Sequence, residues 1–176
     1  MNLVYSSKVT SQFTEKVRYI CDLLGIDPNW LMWVMFFESS LNPRAVNSAT
    51  GATGLIQFMP STARSLGTTT ADLLQKSDVE QLDFVYAYLK PYAGKMNCMI
   101  DVYFAVFFPV AMNKPDDYIL QTSSLSASKI ASQNTGFDLD HNGQLTRAEV
   151  FVKVSAGVPS EYQAIMKKKK QHDFQC

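Results

Sequence analysis

The chain has 176 residues, 47% of them hydrophobic and 18% charged. That composition gives a globular protein with a sizeable core and excludes a disordered or membrane-embedded chain. Lys+Arg and Asp+Glu balance at 16 each, so no net field selects nucleic acid as a partner.

No apolar run is long enough to span a bilayer, so no stable membrane insertion is expected. The N-terminal stretch Met1-Asn-Leu-Val-Tyr-Ser-Ser-Lys8 lacks a charged-then-apolar signal pattern. The protein is therefore expected to be made in the cytoplasm, with other means delivering it to any substrate outside. Cys21, Cys98 and Cys176 are odd in number, widely spaced and without metal-ligand spacing. They read as thiols of a reducing compartment. Lys167 to Lys170 form a basic run, read as a solvated tail, with contact to an anionic envelope polymer as the alternative.

In chain order, Phe13, Val17, Ile20 and Leu24 predict one face of a helix over 11–24, closed by Gly25. Asp27 with Pro28 predicts the start of a second helix, which carries Trp30 through Ser39. On it Leu31, Val34, Met35 and Glu38 share a face at i, i+3, i+4 and i+7. An acid on a core-facing stripe is costly to ionise, so the Glu38 pKa is expected to rise, as a general acid requires. Residues 42–54 read as a loop of small residues, the kind that often binds. Pro60 opens a short helix to Ser65. Ser77-Asp78-Val79-Glu80 is a capping box opening a helix to Leu89. An apolar segment from Met99 to Met112 follows, with Pro109 expected to end or kink it. Phe104 and Phe107 read as core aromatics. Residues 122–132 are a linker or a short helix, and the character changes from Asn134 onward.

Two blocks carry a resemblance. Glu38-Ser39 is followed by Asn42-Pro43-Arg44-Ala45. Then comes Gly54-Leu55-Ile56-Gln57-Phe58-Met59-Pro60-Ser61-Thr62-Ala63. Together they resemble the catalytic core of the soluble lytic transglycosylase (SLT) family, within the goose-type-lysozyme-like group. A weaker likeness runs through Tyr88-Leu89 and the helix after Asp101 to about Pro115. The resemblance implies a mainly α, lysozyme-like fold acting on peptidoglycan glycan strands as a monomer. It makes Glu38 the acid/base that cleaves the bond between N-acetylmuramic acid and N-acetylglucosamine. The sugar's own N-acetyl group assists, which yields a 1,6-anhydro end. Gln57, Met59, Tyr88 and Phe108 would line the sugar groove, and Ser39 would help orient Glu38 or the substrate. One departure stands out. The family usually has an Ala-Tyr-Asn-Ala-Gly run whose tyrosine hydroxyl bonds the catalytic Glu, whereas here the run is Phe107-Phe108-Pro109-Val110-Ala111. The hydroxyl is missing, or comes from another residue such as Tyr103, Tyr88 or Tyr86.

A second motif is Asp138-Leu139-Asp140-His141-Asn142-Gly143-Gln144-Leu145-Thr146-Arg147-Ala148-Glu149. It matches the EF-hand calcium loop, with oxygen ligands at positions 1, 3 and 5, Gly at 6 and Glu at 12. Asp138, Asp140, Asn142, Gln144 (through its carbonyl), Thr146 and Glu149 are the expected Ca2+ ligands, with His141 exposed. The residues from Thr146 to Glu149 also form a capping box, so a metal-free helix start is the alternative. A single loop of this kind resembles the structural EF-hand of some bacterial lytic transglycosylases.

The expected organisation is a catalytic domain over 1–115, a connecting segment over 116–133 and an EF-hand-like helical extension over 134–176. The expected setting is a phage lysis or virion-associated enzyme. Three other readings stay open. One is a hydrolytic muramidase on the same fold, which would need a held water or a second carboxylate, with Asp72 and Asp83 the nearby candidates. Another is a non-catalytic cell-wall-binding or virion structural protein. The third is a calcium-responsive interaction protein.

Overall fold

The computed structural model describes residues 2–166. The basic run at 167–170 and Cys176 lie outside the described residues. The chain packs as two compact units that divide between Gly94 and Lys95. The described residues are mainly helical and contain no strand longer than an isolated bridge.

In the first unit, α1 (Ser11–Leu24) starts where the Thr10 side chain accepts the Phe13 N–H. It ends in the left-handed turn of Gly25 (φ 70°). There Ile26 N–H bonds the Cys21 carbonyl and Gly25 N–H bonds that of Asp22, which satisfies carbonyls the helix end would leave bare. Helix α2 (Pro28–Ser39) begins at Asp27, whose side chain accepts the Asn29 N–H. Six consecutive residues of α2, Trp30 to Met35, are buried, so this helix is the axis of the unit rather than a surface element. The Val4 N–H bonds Asn29 Oδ1 at 2.9 Å and pins the N-terminal segment to it. Next come α3 (Pro60–Ser65), α4 (Thr70–Gln75) and α5 (Asp78–Leu89). The Ser77–Glu80 capping box of α5 is fully formed. Helix α1 packs against both α2 and α5.

Helix α4 is not among the elements expected from the sequence. It is one and a half turns long and buries one side chain, Leu73, too little for a period to show.

In the second unit, α6 (Met99–Phe107) ends immediately before Phe108-Pro109. Proline has no N–H to continue the ladder, and a 3-10 turn over Pro109–Ala111 follows instead. Tyr103, Phe107 and Phe137 pack ring against ring, with Tyr103–Phe107 centroids 5.5 Å apart. Phe104 is fully buried, as expected of a core aromatic. Helices α7 (Ala127–Gln133), α8 (Arg147–Ser155) and the single turn α9 (Gln163–Met166) complete it. The start of the expected connector is bonded into this unit. Leu120 N–H bonds the Leu145 carbonyl, Arg147 N–H that of Tyr118 and Ala148 N–H that of Asp116.

Cys98 is disulfide-bonded, which corrects its reading as a thiol. Cys21 is a free, buried thiol, and burial pushes its pKa far up, with the Asp27 charge adding to the effect. It is therefore inert as a nucleophile. No single described helix is long and apolar enough to cross a membrane.

Candidate active site and metal loop

Glu38 is half-buried in the last turn of α2. The chain then turns through two consecutive left-handed residues, Ser40 (φ 56°) and Leu41 (φ 63°). Neither is glycine, and such residues cost about 1–3 kcal/mol each, which only a well-determined surrounding structure sustains. The surroundings supply that. Ser40 N–H bonds the Phe36 carbonyl at 2.7 Å and Leu41 is buried.

Ser39 is buried, and its Oγ lies 2.9 Å from the carbonyl oxygens of both Met35 and Leu55. The hydroxyl so fastens the end of α2, and with it Glu38, to the glycine-broken loop. The same residue is held at its nitrogen as well, because Leu55 N–H bonds Gln81 Oε1 at 3.0 Å. Gln81 is completely buried, and its Nε2 donates to the carbonyls of Pro43 (2.7 Å) and Leu73 (2.8 Å). Sequence reasoning missed this residue. A glutamine on a helix is usually solvated, and only its place among the buried positions of α5 hints otherwise. Gly54 must be glycine for two reasons. Its φ is +80°, and a Cβ there would lie 2.4 Å from Gln81 Oε1.

Beyond Gly54 the loop closes on itself. Thr53 and Phe58 exchange backbone hydrogen bonds at 3.0 and 2.8 Å, and Gln57 sits between them in the left-handed region (φ 53°). Its Nε2 reaches the carbonyls of Gly54 (3.1 Å) and Ala45 (3.4 Å). The amide thus braces the loop through its nitrogen. Met59, the residue before α3, is 44% exposed, so it is available for contact rather than enclosed in the core. Phe58 is buried, and Tyr88 of α5 meets it edge-on at 6.3 Å between centroids. Tyr88 also packs against Tyr92. Burial, then Tyr92, then the charge of Glu38 push the Tyr88 pKa up to about 12, so the phenol keeps its proton at any working pH. Of the residues expected at the groove, Ser39, Gln57, Met59 and Tyr88 all lie in the unit that carries Glu38. Phe108 belongs to the second unit, half-buried at the end of α6.

The arrangement can hold and move a proton. One carboxyl is half-buried at the end of α2, its charge contributes to keeping the Tyr88 phenol neutral, and Ser39 ties it to the Gly54–Met59 loop.

Residues 20–105 match the family model of the transglycosylase SLT domain. That SLT segment contains Glu38, the whole loop and Tyr88, and its helical architecture agrees with the fold described above. Over 60 residues, 34% of this chain, the sequence is 52% identical to a transglycosylase of Enterobacteria phage PRD1. The alignment spans 22% of that relative's length. No solved structure matches the chain.

The second candidate site is the loop from Asp138 to Glu149. Each of Asp138, Asp140 and Glu149 offers an oxygen, and the three lie within 4.8 Å of one another. Calcium takes oxygens at about 2.3–2.6 Å, so ligands on opposite sides of one ion stand up to about 5 Å apart. The spacing fits. The carboxylates are held inward by the backbone. Asn142 N–H bonds Asp138 Oδ1 and Asp140 Oδ1, both at 3.1 Å, and Gly143 N–H bonds Asp138 Oδ2 at 3.0 Å. Gly143 is left-handed (φ 77°), as the tight turn demands. Glu149 accepts Leu139 N–H through Oε1 and caps α8 through Oε2, which receives Thr146 N–H and Oγ–H. Although its partial burial pushes the other way, these donors hold the Glu149 carboxyl below its usual range. His141 is exposed.

Proposed function

We propose that this chain is a peptidoglycan lytic transglycosylase in which Glu38 is the one protein acid/base. The observation that carries the reading is Glu38 at the end of α2, within the segment that matches the SLT family model and fastened through Ser39 to the Gly54–Met59 loop. The protonated carboxyl gives its proton to the glycosidic oxygen as the bond to C1 of the muramic residue breaks, and the N-acetyl group stabilises the developing charge. The carboxylate then takes the proton of the C6 hydroxyl as O6 closes on C1. Glu38 returns to its starting state and no water is consumed. Gln57 and Met59 would meet the sugars, Met59 through its exposed side chain.

The two acids that could have served a hydrolytic muramidase are engaged elsewhere. Asp83 pairs with Lys16 at 2.8 Å, and Asp72 accepts the Thr69 hydroxyl at the start of α4. A hydrolase would need such a second carboxylate, or a water held in place by other groups. The phage origin of the PRD1 relative supports a phage lysis or virion-associated setting.

Digestion of purified sacculi followed by mass analysis of the products tests the reading. Anhydro ends, one water lighter than reducing ends, are expected from the wild type and none from Glu38→Gln. Undiminished cleavage by Glu38→Gln would sink the mechanism, and reducing-end products would establish the muramidase.

We further infer that the loop over 138–149 binds calcium as a structural ion. Asp138, Asp140, Asn142, the Gln144 carbonyl, Thr146 and Glu149 would hold it, and its charge would offset the mutual repulsion of the three carboxylates. Calorimetric titration should show one calcium site that Asp138→Ala abolishes, with the melting temperature falling on chelation. The absence of both effects would leave Glu149 as a helix cap only.

A further inference from the structure

The Phe108-Pro109 substitution removes the hydroxyl expected to steady the catalytic carboxyl, and the fold offers a replacement. We propose that Tyr88 is a positioning residue that donates its phenolic hydrogen to the Glu38 carboxylate. The proposal rests on the transglycosylase reading and deepens it.

The geometry runs through one residue. Leu55 is gripped at its oxygen by Ser39, the residue after Glu38, and at its nitrogen by Gln81 on α5. The C-terminal end of α2 and the first turn of α5 are thereby bonded to the same residue. Tyr88 follows Gln81 by seven residues, two helical turns, and so shares its face of α5 about 10 Å further along. Phe58, which ends the same loop, supports the Tyr88 ring edge-on. Tyr86 is two residues away, about 200° around the helix, and its ring lies under Lys90 Nζ at 5.9 Å. Tyr103 belongs to the second unit and stacks on Phe107. Among the three phenols left open by the sequence, Tyr88 is the one on the face that grips the catalytic loop. Its resistance to ionisation is consistent with this, since the Glu38 charge is one of its causes after burial and Tyr92.

A donor to the carboxylate stabilises the ionised form. Tyr88→Phe should therefore raise the Glu38 pKa. Activity that requires a protonated Glu38 would then persist to higher pH, moving the alkaline limb of the kcat profile upward. The variant should also lose about tenfold or more in kcat with KM changed by less than about twofold. A profile whose limb does not move overturns the proposal, as does a loss confined to KM, which would make Tyr88 a sugar contact. Should Tyr88→Phe fail to fold, the reciprocal measurement decides. In full-length Glu38→Gln the high-pH phenol transition, followed by ultraviolet absorbance, should move down from about 12, and an unmoved transition refutes the contact. An inactive Glu38→Gln with a normal Tyr88→Phe profile removes this proposal alone. An active Glu38→Gln removes the transglycosylase mechanism itself.

Discussion

Gln81 accepts the Leu55 N–H at 3.0 Å from a position with no exposure to solvent. That bond, with the two its amide nitrogen gives to Pro43 and Leu73, makes one side chain the anchor for the chain on both sides of the Gly54–Met59 loop. Gln81→Leu keeps the volume and strands two backbone groups, the Leu55 N–H and the Pro43 carbonyl, while the Leu73 carbonyl keeps its bond from Lys76 N–H. Each buried unsatisfied group costs about 1–3 kcal/mol, so a loss of roughly 2 kcal/mol or more in urea denaturation is expected. Activity should fall further than stability predicts, because Glu38 is tied to the loop through Ser39. A variant within about 1 kcal/mol of wild type would show that water replaces the amide.

Gly54→Ala tests the same junction from the other side. The added methyl would sit 2.4 Å from Gln81 Oε1, on a backbone at φ +80° that L residues rarely adopt. Gln81 cannot swing away without giving up its three bonds. A cost of about 2–4 kcal/mol follows from strain and displaced hydrogen bonds together. Thermal melting of Gly54→Ala beside Gly67→Ala separates the two contributions. Gly67 is also left-handed (φ +75°) but has open space around it, so it should show only the backbone part.

Much of this was legible in the sequence because it rests on local chemistry. Asp27, Pro28, Gly25 and the Ser77–Glu80 box mark helix ends through groups within four residues of one another, and those ends fall where expected. The Glu38 block and the Gly54 loop were legible as motifs. What joins them was not. The Gln81 bonds to Leu55, Pro43 and Leu73 span 26, 38 and 8 residues, and no periodicity encodes such a contact. Arg147 was likewise hidden, since in the sequence it reads as one residue of a capping box. The Cys98 thiol reading failed for a related reason, because three widely spaced cysteines do not reveal a pairing.

Tyr88 predicts a pH dependence at the alkaline end. Its pKa is raised in the folded state from the ordinary 10 to about 12. The native protein therefore holds the phenolic proton more tightly than the unfolded chain does. The associated stability is fully present below pH 10 and is lost as pH rises from 10 toward 12. Urea midpoints measured across that window should fall more steeply for wild type than for Tyr88→Phe, which lacks the group. Equal slopes would mean that the phenol titrates normally.

Arg147 makes the sharpest prediction in the second unit, because its two carboxylate partners differ in burial. Its side chain is 3% exposed, with Nη2 3.2 Å from Asp101 (1% exposed) and Nη1 3.0 Å from Asp116 (69% exposed). Its Nε has no hydrogen-bond partner, and the guanidinium lies over the Phe104 ring at 5.8 Å. Asp101 also accepts the N–H groups of Asn97 and Asn113, both at 3.1 Å. Arg147→Met fills the space but leaves the Asp101 charge buried with only these two dipoles, a change worth about 3–5 kcal/mol. Asp116→Ala removes a partner that water largely solvates, so it should cost under about 1 kcal/mol. Because Arg147 lies within the 138–149 loop and opens α8 directly after Thr146, the first variant should also weaken the calcium binding proposed for that loop, while the second leaves it nearly unchanged. Urea denaturation and calcium calorimetry on both variants check the contrast. Equal effects from Arg147→Met and Asp116→Ala would mean that the network acts through total charge rather than through the buried pair.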